Sequence, residues 1–182
     1  MTLSPVVVAF HFLLSTGMVA LSTMLLRGSE DGWSPDGTAV VEPRELLVPR
    51  LVSTLAWATA AVGAVVLVLG TVVTGSGPHS GDAEQPARTG FDPRSVAWLH
   101  ADVVMLFVGL VVAVLVAVRL TTAEAGPRRA WTAVLVVTLA QGLVGYTQYF
   151  TGLPEAVVAV HMLGACLLVA ALTFGVLSLR RR

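Results

Sequence analysis

Lysine is absent from this chain of 182 residues, and all eleven basic residues are arginine. Eleven acids balance them, so the formal charge is zero. Only 12% of residues are charged, against roughly a quarter in ordinary soluble domains. The arginines sit at the ends of apolar runs and form no basic stripe, so the pattern gives no sign of a nucleic-acid partner. A single cysteine, Cys166, lies inside an apolar run. A lone thiol cannot staple a fold and says nothing about redox compartment. No basic residue precedes the first apolar run, which argues against a secretory signal, since those open on a basic region. What remains is grease: 55% hydrophobic residues and a mean hydropathy of +0.83. The expected solvent is a bilayer.

Runs long enough to cross a hydrocarbon core of about 30 Å, roughly 20 residues each, occur five times. They lie near 3–26, 51–74, 95–118, 130–152 and 155–179. Apolar runs of this length satisfy their backbone hydrogen bonds as helices. The expected fold is therefore an all-α membrane protein with five transmembrane helices. The connections are polar and rich in glycine, proline and acids, and Thr151-Gly152-Leu153-Pro154 forms a tight turn. One side of the membrane collects Arg27, Arg44, Arg50, Arg119, Arg128, Arg129, Arg180, Arg181 and Arg182; the other has Arg88 and Arg94. By the positive-inside rule the C-terminus faces the cytoplasm and the 75–94 loop faces outward. Gly109, Ala113 and Ala117 make a small-xxx-small stripe, read either as a helix contact or as chance spacing in an alanine-rich span.

Three histidines lie inside spans, each near the outer end. His11 is six residues past Pro5, His100 five past Ser95 and His161 seven past Pro154. At about 1.5 Å per residue these are depths of roughly 8–10 Å. Ionisable groups at such depths are costly and usually functional. Hydrolytic zinc sites favour two histidines one turn apart on a single helix; here the histidines occupy separate helices with few acids nearby. A flat macrocycle held by imidazoles from different helices fits better, and a proton or ion path is the main rival. Asp102 is the one acid well within a span, about 200° around the helix from His100. It reads equally as a partner of another group or a polar helix contact.

The first and last spans repeat each other. Val7-Val8-Ala9-Phe10-His11-Phe12-Leu13 aligns with Val157-Val158-Ala159-Val160-His161-Met162-Leu163, each after a proline. If the last span closes a four-helix unit, the first span closes an earlier one whose other helices precede this chain. The expected organisation is thus 1–26 as the last helix of an N-terminal half, 27–50 as a cytoplasmic loop, and 51–182 as a complete C-terminal four-helix bundle.

Gly70-Thr71-Val72-Val73-Thr74-Gly75-Ser76-Gly77-Pro78-His79-Ser80-Gly81-Asp82 resembles the hallmark outer loop of haem A synthases. So do Leu99-His100-Ala101-Asp102, Gln141-Gly142-Leu143-Val144-Gly145-Tyr146-Thr147-Gln148-Tyr149 with the following Thr-Gly-Leu-Pro, and His161-Met162-Leu163-Gly164. With Ala9-Phe10-His11-Phe12-Leu13-Leu14-Ser15, the resemblance covers nearly the whole chain apart from 27–50. It implies two similar four-helix halves in the plasma membrane and oxidation of a methyl group of haem O to the formyl group of haem A. It further implies a haem b cofactor between His100 and His161, and His11 as one ligand of the substrate haem. The family's second substrate-side histidine and its nearby glutamate have no counterpart here, since no acid lies between Met1 and Arg27. The expectation is that this chain alone does not make haem A, and that its partners are haem O as substrate and a haem O synthase or a separate N-terminal half.

Other polar residues keep two readings each. His79 meets a haem propionate or is an exposed turn residue. Arg88 or Arg94 pairs with a propionate, since arginine recognises carboxylates bidentately, or keeps the loop soluble. Gln141 and Gln148, seven apart on one face, line the haem pocket or bond across helices. Cys166 packs. The alternative function is a b-type cytochrome, holding haem between two histidines without substrate chemistry. A haem-free transporter comes third.

Overall fold

The computed structural model describes residues 4–30, 45–77 and 88–181. Five helices account for most of them: α1 (Pro5–Glu30), α2 (Arg50–Ser76), α3 (Pro93–Thr121), α4 (Ala125–Phe150) and α5 (Glu155–Leu177). All five contain stretches long and apolar enough to span a membrane. The chain is an all-α, multi-pass membrane protein, and among the described residues there is no strand, only an isolated bridge between Leu46 and Arg180. The helices begin up to five residues, about a turn and a half, from the starts of the apolar runs. The largest shift is at α4, which starts at Ala125 and not near 130, because Pro127 and Arg128 fit its first turn, where proline's missing N–H is no loss.

Local chemistry sets the ends. At α3 the Asp92 carboxylate accepts from the backbone N–H of Ser95 at 2.8 Å, with Pro93 in the first turn, a side-chain cap on otherwise orphaned N–H groups. At the end of α4, Gly152 and Leu153 take φ of 79° and 62°, and the Leu153 N–H donates to the Gln148 carbonyl at 2.8 Å. This is a Schellman stop with glycine where the left-handed backbone begins. It makes α4 and α5 a tight hairpin.

Helices α2, α3, α4 and α5 pack as a ring, with α1 laid against α5 and α2. Two ends can be told apart: the histidine end, where α2 finishes and α3 begins, and the arginine end, where α5 finishes. The core is concentrated at the arginine half. Phe107, Val111, Val114, Val118, Trp131 and Val134 are all at most 1% exposed. The Trp131 indole N–H donates to the Gly175 carbonyl at 3.1 Å, satisfying a buried polar pair between α4 and α5. Gly109 and Ala113 are exposed, and a Cβ at Gly109 would touch nothing. Gly109 and Ala113 therefore lie off the packed face, whereas Ala117, the third residue of the stripe, is half-buried against the core. The packing face is Phe107, Val111, Val114 and Val118, where larger side chains fill the ring's interior.

Candidate functional site

Above that core the packing stops. Among the described residues, α3 has no buried position before Phe107, α4 none after Thr138 and α5 none before Ala165. On α2 there is none between Val66 and Gly75. A four-helix bundle ordinarily fills such a level with side chains. Here that level carries His100 on α3 and His161 on α5, seven and six residues from the first residues of their helices (100 − 93 and 161 − 155).

Both imidazoles are half-buried. Each lies against a helix glycine. A Cβ at Gly70 on α2 would sit 3.4 Å from His100 Cε1, and one at Gly145 on α4 would sit 3.4 Å from His161 Cε1. Each hairpin therefore supplies one glycine and one histidine in the same arrangement, and the missing side chain leaves the ring room beside the facing helix. The buried Nδ1 atoms of both rings have no hydrogen-bond partner. The third such atom is Gln148 Oε1, on α4 one turn beyond Gly145. Buried polar atoms are almost always paired in native proteins. The three orphans lie on α3, α4 and α5 at one end of the bundle, and both Nδ1 atoms lie towards the facing glycines.

Gln141 does something different. Its Nε2 donates to the backbone carbonyl of His161 at 2.9 Å. Its carboxamide occupies the space where a Cβ of Gly164 would be, with Oε1 in direct collision with such an atom. Gln141 is thus a bond across α4 and α5 that fixes the His161 backbone.

The remaining candidates are scattered. His11 is exposed on α1, as are Phe10 and Leu14. Its carbonyl accepts from Ser15 Oγ at 2.9 Å. Arg88 and Arg94 are exposed at the histidine end. Asp102 is exposed on the opposite side of α3 from the packed residues. His79 lies outside the described residues. Cys166 is half-buried and free. Among the described residues no three of His, Cys, Asp and Glu gather as a metal-ion cage, which leaves a pair of imidazoles as the metal-binding chemistry on offer. Sequence reading passed over Gly70 and Gly145. Their signal was present, since each is a glycine inside an apolar helix six or five residues before its end (76 − 70 and 150 − 145). Compared with known protein families, with curated proteins and with solved structures, the chain matches none.

Proposed function

We propose that this protein is a membrane haem protein that holds a b-type haem between His100 and His161, and that its chemistry is of the haem A synthase type. The observation that carries the haem reading is the unfilled level of the bundle, where two imidazoles with unpartnered Nδ1 atoms rest on Gly70 and Gly145. Haem supplies redox chemistry at iron, and imidazoles are its usual axial ligands. His100 and His161 would hold the iron; Gly70 and Gly145 give the rings space. Gln141 holds the His161 backbone, as an outer partner fixes a ligand's orientation. Gln148 offers a carboxamide to the polar edge of the group, and Arg88 and Arg94 stand at the same end for its carboxylates.

The synthase reading rests on the motif set around these residues and on the His11 repeat, with haem O as substrate and His11 as a ligand to it. The exposure of His11, with no second histidine of this chain shown to face it, leaves a second reading: a b-type cytochrome that passes electrons without substrate chemistry. In both readings the nine-to-two arginine asymmetry supports a cytoplasmic C-terminus, and the plasma membrane is the location that the synthase resemblance implies.

The test is spectroscopic. Protein purified from haem-replete cells should show a low-spin, six-coordinate b-type haem, one per chain. Either His100→Ala or His161→Ala should abolish that signature, whereas His11→Ala should leave it intact. A colourless preparation, or an unchanged spectrum in both variants, would sink the assignment.

A further inference from the structure

At the arginine end, a cleft of about 340 Å³ is lined by Arg27 at the end of α1, Gly126 and Pro127 in the first turn of α4, Phe174 and Ser178 at the end of α5, and Arg180 and Arg181 beyond it, with Leu47 and Glu124 completing the wall. Three arginines and one glutamate are among its lining residues. Arg27 is only 8% exposed, and its guanidinium carbon lies 5.0 Å from the centre of the Phe174 ring, a cation–π placement that holds the charge in position. Arg180 and Arg181 are tied through their backbone, not their side chains. The Arg181 N–H donates to the Glu45 carbonyl and the Leu47 N–H to the Leu179 carbonyl, both at 2.9 Å. Their guanidinium groups remain unpaired among the described residues.

The neighbouring Arg128 shows the contrast. It donates to the carbonyls of Thr122 and Arg119 at 2.9 and 3.1 Å, capping the end of α3, and takes no part in the cleft. The first turn of α4 adds to the same field. It holds no acid after the N-cap residue, Glu124, whose carboxylate makes no capping bond and is the one acidic side chain lining the cleft. The cleft also lies at a defined height. Its residues fall within about a turn of the ends of three membrane spans, the level at which lipid phosphates sit.

We propose that this cleft binds the phosphate of an anionic glycerophospholipid from the leaflet at the arginine end. Guanidinium forks match phosphate oxygens bidentately. Basic pockets between membrane helices are suited to such head groups. Phe174, 38% exposed, provides an apolar rim towards the acyl chains, which a free phosphate ion would not use. The inference does not depend on the haem reading.

The experiment is a lipid titration of the delipidated full chain in detergent, read by native mass spectrometry. The probes are dioleoyl phosphatidylglycerol, dioleoyl phosphatidylcholine and inorganic phosphate. One phosphatidylglycerol should bind tightly, phosphatidylcholine more weakly, and inorganic phosphate should not displace the lipid. Each arginine at a charged lipid surface contributes roughly fivefold, so Arg180→Gln with Arg181→Gln should weaken phosphatidylglycerol binding roughly thirtyfold. The paired arginine-to-lysine variant, which keeps the charge and loses the fork, should lie between. Arg128→Gln should bind as the parent does. Equal affinity for the two lipids, an unaffected double glutamine variant, or an equal loss in Arg128→Gln would overturn the proposal. Displacement by inorganic phosphate would overturn it too, in favour of a free-anion site.

Discussion

Replacing Gly164 with alanine adds one methyl group at the point where two parts of the candidate site are joined. The new Cβ would fall on the Gln141 carboxamide, in collision with Oε1 and 2.6 Å from Cδ. A carboxamide is the far end of a flexible side chain, so it can rotate away and α4 and α5 need not separate. Doing so breaks the 2.9 Å bond from Gln141 Nε2 to the His161 carbonyl. Hydrogen bonds between membrane helices measure about 0.6 kcal/mol on average and up to about 1.7, and leaving a buried donor unpaired costs about 1–3 kcal/mol. A destabilisation of about 1–2 kcal/mol follows. The discriminating measurement is a double-mutant cycle in detergent with Gln141→Ala. Once the carboxamide is gone, alanine at position 164 should cost almost nothing, so the two changes should be non-additive by about the size of the single loss. The spectrum of any haem bound through His161 should shift in both single variants. Strict additivity, or a Gly164→Ala protein as stable as the parent, would refute the claim that Gln141 holds His161.

In a chain with Cys166 replaced by alanine, cysteines introduced at Arg88 and Arg181 should react on opposite sides of the membrane with an impermeant thiol reagent; labelling of both from outside would overturn the orientation. Gly63→Ala places a Cβ 2.9 Å from Leu172 Cδ2 and 3.0 Å from Phe107 Cε2. Overpacking of this kind costs about 1–3 kcal/mol, and because the contact lies below the histidine level, unfolding measurements should register it while the haem spectrum stays unchanged. At the head of α3, hydrogen bonds from the Ser95 side chain and backbone hold the Asp92 carboxyl below its ordinary value of 3.8. A lowered folded-state value stabilises above 3.8 and is lost as pH falls through the folded value, so parent and Asp92→Asn proteins should converge in stability only in strong acid. A constant difference down through that range would count against the cap.

Much of the frame was readable because the bilayer imposes a one-dimensional rule. Twenty apolar residues must be a helix if they span, whatever they later touch. Hence all five helices stood out before any contact was known. Loop boundaries were less legible. The start of α4 at Ala125 depends on Pro127 sitting in a first turn, which hydropathy does not register. The stripe of Gly109 and Ala113 illustrates the opposite failure. Small residues allow close approach but do not say from which side, and here their face is the exposed one. At the site, histidine depth could be counted along each helix, whereas the half-burial of His100 and His161 and the exposure of His11 required the ring order of helices. Gly70 and Gly145 stood within the quoted motifs, but their role was not legible, for a related reason. A glycine's role in a packed helix lies in what approaches it, and that partner is about 16 to 30 residues away along the chain (161 − 145 and 100 − 70).

The two hairpins then explain why the site can be both open and fixed. An unfilled level in a helical bundle would ordinarily collapse or fill with larger side chains, because an internal void forfeits contacts. Here the half below it supplies the rigidity. Trp131 is buried and bonded to Gly175 across α4 and α5, and Phe107 packs against α2 beside Gly63. The Gly152–Leu153 stop ties the other ends of α4 and α5 together. Above the core, Gly70 and Gly145 remove volume on one helix of each hairpin while His100 and His161 add a rigid ring on the other. Ligands held on helices whose far ends are locked keep their geometry better than ligands on loops. A group entering this level would therefore meet preset imidazoles, and its own bulk would replace the contacts that the four helices do not make with one another.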